Sequence, residues 1–343
     1  VLDRPWNSQQ EKGSMNNWRA RLTHRKDKRS TVPFAWAHTR SLGLLVGIIL
    51  LLALPLLTPG KARAADPEAV AVASLLLPGL GQVINGDYGW GLVHMGLYFN
   101  TAGHYLDLTE DPGYIPPEER DDEQNRIIRT NRVTYKADLY GTAASSVFLY
   151  SPFAAYRDAR QMAENQGGYS TPVPSESLTD LALSPFNPEH LIQPGTIIPL
   201  LLPLYLAFSP ASAESWVIQP EDDLTLTEMR RGAFFQHNMV AVGEEAFFRG
   251  YLNNGLSDWL GPGWGLTSSS ALFGVAHTGN AGSANAGVAF VFGLYLGYLQ
   301  QLNDYAIGQG VALHYWWNVL VSLAMLKERP QGVVMPVNIS LRF

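Results

Sequence analysis

The chain has 343 residues, a formal net charge of −6 and no cysteine. The absence of cysteine excludes disulfides, zinc–thiolate centres and cysteine nucleophiles, and the lack of a basic excess argues against nucleic acid as a partner. The mean hydropathy of −0.03 is low for a bundle made only of membrane helices. The apolar residues must therefore be concentrated in particular segments.

The first segment, residues 1–66, combines a basic stretch with an apolar run. Seven Lys and Arg residues and one acid fall between positions 15 and 40, and the run LGLLVGIILLLALPLLTPG follows from Leu42. Ala62-Arg63-Ala64 then forms an A-x-A cleavage box. This pattern predicts a cleaved secretory signal, with an uncleaved first membrane helix as the alternative. The protein is expected to be a multi-pass integral membrane protein of the bacterial inner membrane.

Residues 67–162 predict a small helical module. An apolar run is broken by the sequence PGLGQ at 78–82 and by the turn signal Asn85-Gly86-Asp87, which favours two short helices with a tight connection. A further apolar stretch covers 139–156. The module resembles the small membrane-hairpin domains that carry a PGLGQ signature, and the resemblance implies packing or anchoring without chemistry.

The segment 190–326 is predicted to be the main helical domain, and a linker rich in Ser, Pro, Asn and Gly precedes it at 163–189. The fold class expected from these segments is all-α, a polytopic helical membrane protein with a core bundle of about four to six transmembrane helices. The tail, 327–343, is expected to be extended. The apolar helix candidates of the main domain are 191–208, 233–252, 265–278, 284–302 and 308–326.

Two adjacent carboxylates and an arginine stand in the second of these apolar stretches. Residues four apart share one face of a helix, so Glu245 and Arg249 can pair. Glu244 lies about 100° further round the helix and cannot share the arginine as easily. The simplest division makes Glu245 the structural partner of Arg249 and leaves Glu244 available for chemistry.

Two later apolar stretches also carry polar residues at helical spacing. His277 stands four residues after Phe273, and Asn318 stands four residues after His314. Ionisable and polar side chains at this depth are costly to bury unless they are paired or functional. Together with the carboxylates they predict one polar site inside the helical domain.

The three motifs E-E-x-x-x-R, F-x-x-x-H and H-x-x-x-N, in this order on consecutive apolar segments, resemble those of the CPBP (ABI) family. This family comprises CAAX prenyl endopeptidases and bacteriocin-processing enzymes. The resemblance covers residues 190–326 and implies an intramembrane endopeptidase. The resemblance also implies that Glu244 and His277 activate the attacking water. It implies that His314 and Asn318 stabilise the oxyanion. Its supporting set keeps the site in shape and comprises Glu245, Arg249 and Phe273.

No resident cofactor is expected, because a neutral histidine and an asparagine amide can both donate hydrogen bonds to an oxyanion. The alternative is a zinc ion held by Glu244, His277 and His314, with one open position for water. The expected partners are a peptide or protein substrate in the membrane and the lipid bilayer, with no nucleic acid. The alternative function is a non-catalytic membrane scaffold or interaction protein on the same fold.

Overall fold

The structure, a computed structural model, describes residues 66–163, 168–172, 174–211, 215–221, 223–278 and 282–328. The predicted signal run, its cleavage box and the tail beyond residue 328 lie outside these residues. Helices make up most of the described chain, in agreement with the all-α prediction.

The first half of the described chain, residues 66–163, is called the N-terminal module and contains five helices. Asp66 starts its first helix by accepting a hydrogen bond from the Ala69 N–H, and Asp87 starts its longest early helix through the Trp90 N–H in the same way. Both are side-chain N-caps, which satisfy donors that a helix leaves free at its start. The helices are α1 (Pro67–Leu76), α2 (Leu80–Ile84), α3 (Tyr88–Thr109), α4 (Pro117–Arg120) and α5 (Arg132–Ala163).

The second half contains a helix at each of the five predicted apolar stretches. Among the described residues, however, no helix is at once long enough and apolar enough to cross a membrane, which differs from the predicted transmembrane bundle. The strongly apolar α8 has only 15 residues, and the longer α5 carries charged residues near both ends. The helices are α6 (Leu178–Leu183), α7 (Pro188–Leu191), α8 (Pro194–Phe208), α9 (Leu226–Glu245), α10 (Asn254–Leu260), α11 (Pro262–Ala276), α12 (Gly282–Leu302) and α13 (Gly308–Met325).

A small three-stranded sheet accompanies the helices. Its strands are β1 (Asp121–Asp122), β2 (Ile127–Thr130) and β3 (Val217–Pro220), in the order β1-β2-β3. β1 pairs with β2 antiparallel, and β2 pairs with β3 in parallel, with Ile127 opposite Val217. β-branched residues favour this extended pairing. The sheet ties the loop before α5 to the segment before α9.

The PGLGQ sequence docks the turn between α1 and α2 on α5. Gly79 adopts a φ of 93°, and a Cβ at this position would lie 2.2 Å from the carbonyl oxygen of Gly91. The Gly79 N–H donates to Ser151 Oγ at 2.7 Å, and the Gln82 side-chain amide donates to the Ser151 carbonyl at 2.8 Å. These are the contacts of a packing motif, and they explain why glycine and glutamine occur in this stretch.

Helix α5 lies parallel to α9 and its continuation. Three hydrogen bonds along the two helices join residues that are 96, 94 and 98 positions apart in the sequence. Because this separation stays nearly constant along the helices, they run in the same direction. Glycine permits the close approach: a Cβ on Gly243 would lie 2.9 Å from Ser146 Cα, and one on Gly250 would lie 2.4 Å from the Phe153 ring. The N-terminal module is therefore packed directly on the helix that carries the two carboxylates.

Residues 163–189, predicted to be a linker, form a packed connection in the part that the structure describes. Helix α6 lies within them and buries Leu181 completely. The Glu176 carboxylate accepts two backbone N–H groups at the start of α13, each at 2.8 Å. Next to this segment, Arg160 of α5 forms a buried ion pair with Asp258 of α10. The predicted domain boundaries themselves stay a prediction.

We expect Gly243→Ala to lower the stability of the protein by about 1–3 kcal/mol, the usual cost of overpacking. The new methyl group would meet main-chain atoms of Ser146, at 2.9 Å and 3.1 Å, which cannot move without shifting α5. Gly103→Ala in α3 is the matched control, because its Cβ would meet nothing within 4 Å. The control should gain roughly 0.5–1 kcal/mol from helix propensity. Thermal unfolding of the purified proteins measures both changes, and a Gly243→Ala protein as stable as the control would contradict the close packing.

Candidate active site

Helix α9 begins with a capping box and ends in a widened turn. The Thr225 hydroxyl accepts the Glu228 N–H at 3.2 Å, and the Glu228 carboxylate accepts the Thr225 N–H at 3.0 Å. After Glu245 the chain continues as a π-helix over Ala246–Asn253. Such wide turns are rare and are frequent at functional sites. Here the wide turn follows directly after the two carboxylates.

The two carboxylates separate as the helical spacing predicted. Glu245 is 0% exposed, and its Oε1 accepts hydrogen bonds from Arg249 Nη1 at 3.1 Å and from His314 Nδ1 at 2.7 Å. The Glu244 side chain is 20% exposed and lines a cavity instead. The predicted Glu245–Arg249 pair is therefore confirmed, and Glu244 does not share it.

Arg249 is enclosed by aromatic and small residues. Its guanidinium carbon lies 4.3 Å from the centroid of the Phe273 ring, a favourable cation–π distance. A Cβ on Gly293 would come within 3.4 Å of Arg249 Nη2, so glycine leaves room for the guanidinium. Phe273 also contacts His277, and the centroids of the two rings lie 4.3 Å apart. Phe273 thus links the buried ion pair to the histidine of the cavity.

Glu244 faces two histidines. Its Oε2 lies 3.8 Å from Nε2 of His277 and 3.8 Å from Nε2 of His314. These distances are too long for direct hydrogen bonds, and among the described residues this buried Oε2 has no hydrogen-bond partner. The carboxylate and both imidazoles therefore keep capacity for a third group between them.

The tautomer of His277 follows from its own helix. His277 stands at the end of α11, and its Nδ1 lies 2.7 Å from the carbonyl oxygen of Phe273. A carbonyl oxygen only accepts, so Nδ1 carries the proton and Nε2 of the neutral ring presents a lone pair toward Glu244. Two acceptors then face one point of the cavity, an arrangement that suits a water molecule donating both of its protons.

The same reasoning applied to His314 gives a different result from the sequence-based expectation of a neutral donor. His314 Nδ1 bonds to Glu245 Oε1, the same carboxylate oxygen that accepts a hydrogen bond from Arg249 Nη1. Nδ1 is therefore the donor. His314 Nε2 can donate a hydrogen bond to an oxyanion only when the ring carries a second proton, and Glu245 supplies the counter-charge for that state.

A cavity of about 250 Å³ joins the predicted catalytic residues. Its walls come from α9, α11, α12 and α13, and the predicted catalytic residues among its lining are Glu244, His277, His314 and Asn318. His237 and Ser322 also line it. Sequence reasoning missed both, although His237 stands seven residues before Glu244 and Ser322 stands four residues after Asn318. That helical spacing was the available signal.

Comparison with known families agrees with this geometry. Residues 232–320, which contain every predicted site residue, match the family model described as type II CAAX prenyl endopeptidase Rce1-like. Residues 232–320 are therefore similar to the Rce1-like endopeptidases. The resemblance of this part to the CPBP family is thereby confirmed. No curated protein and no solved structure matches the chain.

The candidate site has donors suited to zinc in kind, but their arrangement does not fit the zinc alternative. Two imidazoles and one carboxylate are a recognised catalytic ligand set. Two ligand atoms bound to one tetrahedral zinc at about 2.1 Å lie roughly 3.4 Å apart, whereas Glu244 Oε2 lies 3.8 Å from each histidine Nε2. Within the described residues, no group of three or more His, Cys, Asp and Glu side chains is placed to hold a metal ion.

We expect Arg249→Met to destabilise the Rce1-like part strongly, by about 3–5 kcal/mol, because Glu245 would remain as an uncompensated buried charge. Arg132→Met is the matched control, since it breaks the Arg132–Glu228 pair, whose side chains are 39% and 42% exposed. An exposed pair of this kind contributes little to stability, because solvent screens it. Chemical denaturation of both variants makes the comparison. Similar losses in the two proteins would show that the buried pair is not a structural requirement.

Proposed function

We propose that this chain is a membrane endopeptidase of the CAAX-protease type, in which water activated by Glu244 and His277 hydrolyses a peptide bond. One observation carries the proposal. The Glu244 carboxylate faces the Nε2 atoms of His277 and His314 at 3.8 Å across a cavity, while its neighbour Glu245 is bound to Arg249. One carboxylate is thus committed to the fold, and the other has free acceptor capacity beside two imidazoles.

The proposed reaction begins with a water molecule that donates one hydrogen bond to Glu244 and the other to His277 Nε2. Glu244 takes a proton from this water as the oxygen attacks the scissile carbonyl carbon. The resulting tetrahedral intermediate carries its negative charge on the former carbonyl oxygen. Glu244 then returns its proton to the leaving nitrogen, the carbon–nitrogen bond breaks, and the carboxylate is regenerated.

The oxyanion is proposed to be stabilised from α13. The Asn318 amide can donate to it directly, and His314 Nε2 can donate when the imidazole is doubly protonated. The tautomer of His314 set by Glu245 supports this assignment, because the only remaining ring nitrogen points toward Glu244 and the cavity. An imidazolium beside a buried carboxylate gives a positive donor, which is stronger than a neutral one.

A membrane setting is proposed for both the enzyme and its peptide substrate. The support is the family match together with a wide apolar surface. Four large apolar residues of α8 are between 56% and 81% exposed, namely Ile198, Leu201, Tyr205 and Phe208. Large exposed apolar surfaces are uncommon on monomeric proteins in water and mark contacts with lipid or other proteins. A multi-pass location in a lipid bilayer, without nucleic acid as a partner, remains the working proposal.

We expect Glu244→Gln to lower kcat by about 10²–10⁴-fold, the usual contribution of a general base. The substitution keeps the size of the side chain and removes its ability to take a proton. Glu221→Gln removes a carboxylate outside the cavity and should leave kcat unchanged. Purified protein in detergent is assayed against a library of quenched fluorescent peptides, with mass spectrometry of the products. Equal turnover by wild type and Glu244→Gln would rule out this base, and no cleavage by the wild type would favour the non-catalytic scaffold.

Asn318→Asp tests the oxyanion proposal separately. The variant replaces an amide donor by a carboxylate of the same shape, which would repel the developing negative charge. We expect kcat to fall by at least the 10²–10³-fold typical of a lost oxyanion donor, with little change in KM. Asn318→Ala, which removes the donor without adding charge, should retain more activity. If the aspartate variant is the more active of the two, Asn318 does not serve the oxyanion.

A further inference from the structure

The cavity continues beyond the proposed catalytic residues as a groove between α9 and α13. The two helices run antiparallel: Glu244 faces His314 at one level, and His237 faces Ser322 at the next. His237 Nε2 and Ser322 Oγ lie 2.6 Å apart, and both side chains line the cavity. The proposed hydrolysis uses neither of them.

This histidine–serine pair always keeps a spare hydrogen-bond donor. If the Ser322 hydroxyl donates to His237 Nε2, the proton of the neutral ring is on Nδ1, and that N–H is left over. If Nε2 donates to Ser322 Oγ, the serine hydroxyl hydrogen is left over, and a doubly protonated ring leaves both. His237 Nδ1 is buried and has no hydrogen-bond partner within the described residues. Such orphaned polar atoms are rare in proteins and call for a ligand or another explanation.

The distance of the pair from the proposed base corresponds to a short length of substrate. His237 stands seven residues before Glu244, which is about 10 Å along a helix that rises 1.5 Å per residue. An extended peptide advances about 3.3 Å per residue. The groove would therefore present the spare donor to a peptide about three residues from the scissile bond. The walls between the two points are mainly apolar and include Val240, Trp317 and Val321.

We propose that His237 and Ser322 form a substrate subsite that binds acceptor oxygens of the peptide about three residues from the cleaved bond. The oxygens belong either to a main-chain carbonyl or to a terminal carboxylate, since both accept the same hydrogen bond. The inference rests on the proposed endopeptidase function and adds to it a determinant of substrate length and position.

A purely structural role is the competing explanation, and α9 supplies a matched control for it. Gln236, the neighbour of His237, donates to Thr142 Oγ1 of α5 at 3.1 Å, outside the cavity. Gln236→Leu therefore removes an inter-helix hydrogen bond of the same kind without touching the groove. If the pair is only structural, the variants at His237 and Ser322 should behave like Gln236→Leu and lose only stability. If it binds substrate, only the variants at His237 and Ser322 should lose affinity for the peptide.

The test uses one peptide that the wild type cleaves, fluorescein-labelled and prepared with a free acid or an amide three residues beyond the cut. KM is measured in active protein, and Kd is measured in the Glu244→Gln background, where the peptide stays intact. For Ser322→Ala and His237→Gln we expect both constants to rise. The increase should be roughly 2- to 10-fold for both peptides if a carbonyl is bound, and on the order of 10- to 100-fold for the free acid alone if a carboxylate is bound.

The outcomes separate the subsite from the reaction. Unchanged KM and Kd in both variants, with cleavage by the wild type and none by Glu244→Gln, overturn the subsite and leave the proposed function standing. Changes matched by Gln236→Leu also overturn it, because they indicate a packing effect. The absence of cleavage by the wild type overturns the proposed function and this inference together.

Discussion

The buried carboxylate of Glu245 is the contact on which the candidate site depends. It is shielded completely from solvent and is bound by Arg249 from its own helix and by His314 from α13. An ionised carboxylate in such a position is tolerated only while both partners remain. The contact therefore joins α9 to α13 at one level and fixes which nitrogen of His314 points into the cavity. The structural carboxylate of Glu245 therefore orients His314 beside Glu244, the carboxylate proposed to act as the base.

The local parts of this site could be predicted from the sequence, because helical spacing determines them. Glu245 and Arg249 are four residues apart on one helix, and their pairing followed from that spacing alone. The contact of Glu245 with His314 joins residues 69 apart in the sequence, and no helical period encodes it. The tautomer of His314 depends on this long-range contact. The sequence therefore could not show that a neutral His314 has no proton on Nε2 to donate to an oxyanion, because the contact with Glu245 decides this.

Other features escaped the sequence for related physical reasons. The strands β2 and β3 are only four residues each, too short for a clear alternation of polar and apolar residues, and their paired residues are 90 positions apart, as Ile127 and Val217 show. The polar composition of 163–189 suggested a linker, yet polar groups of this segment form hydrogen bonds with other helices, such as the bond from the Ser170 hydroxyl to Asp258 of α10. Composition describes how well a segment is solvated when it is alone. It does not reveal that Glu176 meets the free N–H groups at the start of α13.

The circumference of α9 explains why Glu244, and not Glu245, faces the cavity. At about 100° per residue, Gly232 and Gly243 lie within roughly 20° of each other, and this face is pressed against α5. His237 and Glu244 also lie within roughly 20° of each other, about 100–140° away from the glycines, and Glu245 lies about a further 100° round. Rotating the helix by one residue would turn Glu245 toward the cavity, but it would also drive side chains into the main chain of α5. The close packing of the N-terminal module on glycine therefore helps to select the carboxylate that meets the two histidines.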